Sequence, residues 1–461
     1  MRTTTFFIGA VTLLCTGTTF SEIINVPNDF PSIQEAIFAA AESGDEILVE
    51  AGTYTESIDF LGKTISVTGV SGSSNTIIDG GGTGVVVSFI TGETQKSLLD
   101  GFTIQFGSGL NGGGVYINTA SPTIKNCLIK SNQATVHGGA MYVIAGNIEL
   151  ENIVFEGNVA GSAGGAIYLR ESSATITGGS MLSNSATNGG AMYIKDSTGF
   201  VSMTGVTFRQ NSVTGSGGVI FVKLSEVIAT DCIFELNSAN DGGAWFSYNG
   251  GDATITNGVF NDNSALGLGG AANVRSNSTV SFLQCTFESN VSDSDCDEIG
   301  GGAVLNIGNS IVTLEDPSVC YNLRCDSDDL FYGDAPIIVG DILDCSSSDD
   351  PGACCGGSAC WEMVEADCID GGGAWNGNGS VCSGVTCDGG TGSATGACCV
   401  EDNCVQATEL SCVDAEGVFY GTSVTCEATE CPATCDADIN GDGIVNVSDL
   451  LALISVWGMC P

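Results

Sequence analysis

Positive charge is scarce in this chain. Eleven Lys and Arg residues stand against 54 Asp and Glu, a formal net charge of −43. That balance excludes a general affinity for nucleic acid or anionic membrane. Histidine is almost missing: His137 is the only one. A lone His in the turn before Gly138 is a poor start for acid–base or metal chemistry. Long apolar runs are lacking too, and the run from Phe6 to Leu14 is too brief to cross a bilayer. Cysteine is sparse at first and dense later, with five before residue 300 and seventeen after it. The chain therefore divides into a Cys-poor body and a crosslinked tail.

The body carries a column of asparagines. Asn132, Asn158, Asn184, Asn211, Asn237, Asn263 and Asn290 follow one another at steps of 26 or 27 residues. Three residues before each stands an apolar residue: Ile129, Phe155, Met181, Phe208, Phe234, Phe260 and Phe287. Gly pairs such as Gly138-Gly139 and Gly217-Gly218 follow most of the asparagines. A fixed period of this length marks a stacked solenoid. The apolar runs are short and β-branched, and the glycine density is hostile to helices. Three short strands and three turns fill such a period, which is one coil of a parallel β-helix. Coils about 4.8 Å apart align equivalent residues in columns. An inward Asn at each coil is then expected to hydrogen-bond those above and below. The Gly pair is expected to supply a positive-φ turn where a Cβ would clash.

Across about residues 100 to 310 the alternating boxes, GGAMY from Gly138, GGAIY from Gly164, FEGN from Phe155 and FESN from Phe287, resemble the polymorphic outer membrane protein repeat. That resemblance implies surface display. No barrel pattern follows the solenoid. The sequence from Val26, VPNDFPSIQEAIFAAAESGDEILVEAGTYTESI, resembles the cap and first coil of the pectin-lyase-like β-helix superfamily. Ile33, Ala36, Ile37 and Ala40 share one helical face there, with Pro31 and Ser32 suited to the first turn and Gly44 to the stop. Such a helix would cover the open backbone edge of the first coil. The expected fold is all-β, a right-handed parallel β-helix over residues 21–320 with an N-terminal helical cap, behind a secretory signal over residues 1–20.

After a linker over residues 321–351 come two six-cysteine modules, 352–387 and 396–431. Cys354, Cys355, Cys360, Cys368, Cys382 and Cys387 recur 44 residues later as Cys398, Cys399, Cys404, Cys412, Cys426 and Cys431, and Trp375 matches Phe419. Units this small need crosslinks, and six cysteines allow 15 pairings. Neither module has a His or a C-x-x-C pair, which disfavours zinc. Disulfides agree with an oxidising, extracellular or cell-surface location. In residues 435–461, Asp438, Asn440, Asp442, Asn446 and Asp449 fall at positions 1, 3, 5, 9 and 12 of a calcium loop. Ile444 offers its carbonyl at position 7, and Gly443 permits the turn. The stretch resembles a single dockerin repeat, where that family carries two. The resemblance implies calcium and a cohesin-like or envelope partner, and Cys435 and Cys460 are placed to staple the unit.

Enzymes of the β-helix superfamily need clustered carboxylates beside Arg, Lys or His. Arg170, Arg209 and Arg275 are read at different phases of the repeat. Lys130 is expected to stack on Glu156 and Arg209 on Glu235, as exposed register pairs. Asp293, Asp295, Asp297 and Glu298 form an acidic insertion, either a calcium site or a solvated loop. Cys127 and Cys232 are expected to be unpaired core thiols. No catalytic residue is assigned. After each Gly pair, alternation puts Met141 and Val143 on one face and Ala140 and Tyr142 on the other. Tyr116, Tyr142, Tyr168, Tyr193, Phe221 and Phe246 then form an outward aromatic stripe, a candidate ligand face for sugar rings. The function expected is a secreted, non-catalytic surface or adhesion protein attached through its calcium unit, with a polysaccharide or cell surface as partner. The alternative is a polysaccharide lyase or glycoside hydrolase acting on an acidic polysaccharide.

Overall fold

A computed structural model describes residues 21–292 without a break and, beyond them, residues 305–320, 322–324, 331–333, 336–339, 343–344, 352–356, 359–363, 374–378, 396–400, 403–407, 418–422 and 426. The chain falls into two units, Met1–Ser346 and Ser347–Pro461. The first is a right-handed parallel β-helix of about 11 turns.

A seven-residue helix, Ile33–Ala39, caps its beginning. Ser32 Oγ accepts the Glu35 N–H at 3.2 Å, an N-cap that satisfies one orphan donor. The carboxylate of Glu56, from the coil beneath, accepts the N–H groups of Ile33 and Gln34, each at 2.9 Å. At the other end the buried Lys63 ammonium donates to the carbonyls of Ile37, Phe38 and Ala40 at 2.8, 3.0 and 2.6 Å. Both helix ends are thus closed by side chains of the solenoid. Ile33, Ala36, Ile37 and Ala40 are buried, as their shared face demands.

Every strand pairing described within the solenoid's sheets is parallel, with neighbours 26 or 27 residues apart through most of the length. Three faces recur in each coil. On the first, Met141–Ile144 stacks on Ile167–Arg170 and then on Met192–Lys195. On the second, Ser173–Thr177 follows Asn147–Glu151. On the third, Thr207–Arg209 stacks on Ile233–Glu235. A narrow fourth sheet of nine strands carries the short segments after each ladder Asn, such as Ser212–Val213 and Ser238–Ala239. Corners repeat as well. Asn126, Asn152, Asp231 and Asn257 stand in the left-handed region, with φ of 49°, 54°, 54° and 53°. Asn and Asp adopt that conformation at the lowest cost after Gly.

The Gly pair divides its two duties. Gly217 has φ of 71°, whereas Gly218 needs no special dihedral. A Cβ on Gly218 would lie 1.9 Å from the Gly243 carbonyl oxygen of the next rung. The first glycine permits the turn and the second permits the stacking.

The interior is built from the column expected. Phe155, Phe208, Phe234, Phe260 and Phe287 are fully buried, and Phe208, Phe234, Phe260 and Phe287 stack at 5.1, 4.5 and 5.0 Å between centroids. Beside them runs the amide ladder. Each Asn Nδ2 donates to the Oδ1 of the next at 2.9–3.2 Å. The same Oδ1 also accepts the preceding asparagine's backbone N–H, as in Asn184 N to Asn211 Oδ1 at 3.0 Å. The ladder gains a rung that the period does not reveal, because Asn290 bonds to Asn322 across an insertion. The solenoid accordingly runs past residue 320. Leu323–Arg324, Phe331–Gly333, Ile337–Val339 and Leu343–Asp344 all pair onto the preceding coil, where a linker is expected from sequence.

In the second unit, Gly352–Gly356, Ala359–Met363 and Ala374–Asn378 form a three-stranded antiparallel sheet. Gly396–Val400, Asn403–Ala407 and Val418–Thr422 repeat it in the same register, with Cys354 paired to Trp375 and Cys398 to Phe419 along the backbone ladder. Cys398 and Cys426 each take part in a disulfide. The calcium-loop residues 438, 440, 442, 444, 446 and 449, the flanking Cys435 and Cys460, the acidic residues 293, 295, 297 and 298, and residues 1–20 lie outside the described residues.

Candidate functional site

The first face carries the aromatic stripe. The register Tyr116–Tyr142–Tyr168–Tyr193–Phe221–Phe246 puts one ring on each rung. Successive centroids lie 5.5, 5.3, 5.3, 4.6 and 4.8 Å apart. The first four rings are within 6° of parallel. Met141, Val143, Ile167 and Leu169 point to the core, so the rings do leave the sheet outward. They do not lie open, however. Tyr142, Tyr168, Phe221 and Phe246 keep only 7, 6, 9 and 3 % of their surface in contact with solvent. The rings cover one another, Ala163 packs against them, and His137 stacks on Tyr168 with centroids 4.3 Å apart. Tyr116 and Tyr193 remain half-buried. The stripe is a closed rail with accessible edges and not a flat platform for sugar faces.

Burial has chemical consequences. It pushes the Tyr168 phenol up to about 12, with Tyr193 and Tyr142 adding to the effect. Burial also lowers the His137 pKa, helped by Lys195. The His137 Nδ1 atom is buried and finds no hydrogen-bond partner among the described residues.

Two residues past each ring, on the same outward side, runs a second column: Ile144, Arg170, Lys195, Lys223, Tyr248 and Arg275. This corrects the sequence reading of Arg170 and Arg275 as out of phase. Each stands five residues after its Gly pair, and the Gly pair resets the register on this face. Arg209 alone lies elsewhere, on the third face, 3.8 Å from Glu235. Four of the 11 cations of the chain thus share one column. Arg170 pairs with Glu171 at 2.9 Å, Lys195 with Asp196 at 3.4 Å and Arg275 with Asp241 at 3.2 Å. Arg275 also lies 5.1 Å over the Phe246 ring, and Lys223 lies 5.7 Å over Tyr248.

The second face brings together a group that sequence reasoning missed. Lys125 stands between Asp100 on one rung and Glu151 on the next. It forms an ion pair with Glu151, and that hydrogen bond raises its pKa. Glu149 lies two residues from Glu151 and 3.4 Å from Thr123 Oγ1. Thr123, Lys125, Glu149 and Glu151, with Thr175 and Thr177, line a shallow groove of about 200 Å³, and Asp100 lies beside it on the preceding rung. The spacing of Asp100, Lys125 and Glu151, 25 and 26 residues, was the available signal. The expected pair Lys130–Glu156 is in register on the third face, yet no ion pair joins it. Lys130 is half-buried, and Glu156 is open to water, where such a pair gains little.

Cys127, Cys232 and Cys285 are buried free thiols. Desolvation pushes Cys127 and Cys285 up to about 12, which makes them inert as nucleophiles. Among the described residues no group of His, Cys, Asp or Glu is arranged to hold a metal ion, and no helix is long and apolar enough to cross a membrane.

Coil geometry, register and amide ladder define a β-solenoid protein of the parallel β-helix class. Residues 158–316 match the family model described as right handed beta helix region. No curated protein matches the chain.

Proposed function

We propose that this is a secreted, non-catalytic surface or adhesion protein, which displays its β-helix and is attached through the calcium unit of residues 435–461. The observation that carries the reading is the first face. Its aromatic rings are spent on one another, and a column of cations runs beside them along the axis. That is the form of an extended contact strip and not of a cleft closed around one scissile bond. The likeness of the solenoid boxes to the polymorphic outer membrane protein repeat supports surface display, and the likeness to a dockerin repeat supports calcium-dependent attachment. A parallel β-helix is compatible with both a surface protein and a pectate lyase-like enzyme, and fold alone does not carry function.

The groove around Lys125 favours a second reading, a polysaccharide lyase or glycoside hydrolase, because Asp100, Glu149 and Glu151 there surround one lysine. One experiment separates the two. Purified full-length protein is incubated with acidic and neutral polysaccharides, with and without calcium. The expected result is no release of unsaturated or reducing ends. Release that disappears in Glu151→Gln would overturn the non-catalytic reading. The attachment unit is tested by limited proteolysis. Calcium is expected to protect residues 435–460 in the parent chain and not in Asp442→Ala. Equal cleavage with and without calcium would exclude the calcium loop.

A further inference from the structure

We infer that the second face of the solenoid is an ice-binding surface, built from two columns of hydroxyl-bearing residues. The inference goes beyond the surface-protein reading and stands whether or not the chain is anchored.

Each strand of that face sends alternate side chains outward. One outward column reads Thr177, Thr204, Thr230 and Thr256 on successive rungs. The other, two residues earlier on each strand, reads Thr175, Ser202, Ile228, Thr254 and Ser281. Between the columns Ile176, Met203, Ala229 and Ile255 are buried, which fixes the columns on the solvent side. Neither column carries a charge or an aromatic ring, in a chain with 54 Asp and Glu. Charge begins only at the borders. Glu151 stands on the preceding rung, Glu226 and Asp252 flank one edge, and Asp231 stands at the corner.

The hydroxyls are unspent. Elsewhere Thr123 and Thr187 each donate to a backbone carbonyl, at 2.7 and 2.9 Å. Among the described residues the hydroxyls of the two columns have no such partner. Water is therefore what they bond. Neighbouring hydroxyls stand about 4.8 Å apart along the axis and about 6.7 Å apart along a strand, in directions nearly at right angles. The β-branched side chain of Thr is stiff at χ1, so the spacing of the backbone is passed on to hydroxyl and methyl. The prism face of hexagonal ice repeats its oxygens at two perpendicular distances close to these. Water held on the columns is thus already placed as in a crystal layer, and the methyls fill the gaps with apolar surface.

Size and chemistry argue against other occupants. From Thr175 to Ser281 the columns span four rung steps, about 19 Å by 7 Å. A stable interface between proteins, a second copy included, takes roughly 800 Å² on each partner, far more than this patch offers. A sugar would find no ring, carboxylate or amide in either column. A crystal needs none of these. Each hydroxyl contact with it is weak, but a repeating surface makes all of them at once.

The test uses the full chain. Ice is grown slowly in a solution of the purified protein, and the fraction taken into the ice is measured beside serum albumin, which ice excludes. The parent is expected to enter the ice and to hold single ice crystals from growing just below their melting point. Thr204→Tyr with Thr230→Tyr keeps strand-forming residues but raises two rings above the face. Its uptake is expected to fall to the albumin level, with the unfolding temperature unchanged. Arg209→Tyr, on the third face, is expected to behave like the parent. Exclusion of the parent from ice would overturn the inference whatever the variants do. Parent-like uptake of the double variant would overturn it too, as would an equal loss in Arg209→Tyr.

Discussion

Two stacks of rings run along this solenoid, one inside and one outside. Phe208, Phe234, Phe260 and Phe287 stack within the core, and Tyr116 to Phe246 stack on the first face. Their centroid spacings are nearly the same, because both are imposed by parallel strands in register. The difference lies in the neighbours. The inner stack is flanked by the amide ladder, where every donor and acceptor has a fixed partner. The outer stack is flanked by cations that keep spare donors. Stacked rings at one per rung are thus a consequence of the fold, and only the flanking column distinguishes a structural stack from a contact strip.

The largest effect is expected from the ladder that flanks the inner stack. Asn211 Oδ1 accepts from Asn184 N and Nδ2, and its own Nδ2 donates to Asn237 Oδ1 and the Met181 carbonyl. Asn211→Ala leaves these buried partners unmade, at about 1–3 kcal/mol each. A loss of about 3 kcal/mol or more in denaturant unfolding is expected. A loss below about 1 kcal/mol would mean that the ladder decorates the core and does not hold it.

Next comes a direct contrast of the stacks. Phe234→Ala removes a fully buried ring with stacked neighbours on both sides, at a cost of about 3–5 kcal/mol. Tyr168→Ala removes a ring whose edge already meets water, so about 2–3 kcal/mol is expected. Equal losses would erase the distinction between inner and outer stack. A Tyr168 effect near zero would sharpen it, leaving the outer rings for recognition alone.

Much of this architecture could be read directly from residue spacing. The Asn column, the apolar residue three before it and the Gly pair all repeat with the rung, so the ladder, the core column and the face of Tyr142 followed from arithmetic. Asn322 did not, because an insertion hides its phase, and with it the solenoid's end was set too early. The burial of Tyr142 and Tyr168 was hidden for another reason. Alternation tells which way a ring points from its own strand, not what packs over it, and His137 and Ala163 come from the neighbouring sheet. Cation columns need register at each corner. Counting from the Gly pair aligns Arg170 with Arg275, whereas a residue-by-residue comparison missed it. Lys125 between Asp100 and Glu151 was legible at the same period, but it stands on a different strand from the Lys130–Glu156 and Arg209–Glu235 pairs.

The smallest effect bears on the outer stack alone. His137 packs on Tyr168, its Nδ1 is buried without a partner, and burial lowers its pKa. The unfolded chain binds its proton near the ordinary value of about 6.5, and the folded chain binds it only at lower pH. Between those two values the unfolded state holds more protons, so stability falls as pH drops through that window. Above the ordinary value the group is neutral in both states and costs nothing. A modest fall in melting temperature from about pH 7 to about pH 5 is therefore expected, and His137→Phe should remove that part of it. The carboxylates are the same in parent and variant, so the difference between the two curves isolates the imidazole. If the curves coincide, His137 is free to find an acceptor or water on protonation, and the outer stack is looser around Tyr168 than its ring spacing implies.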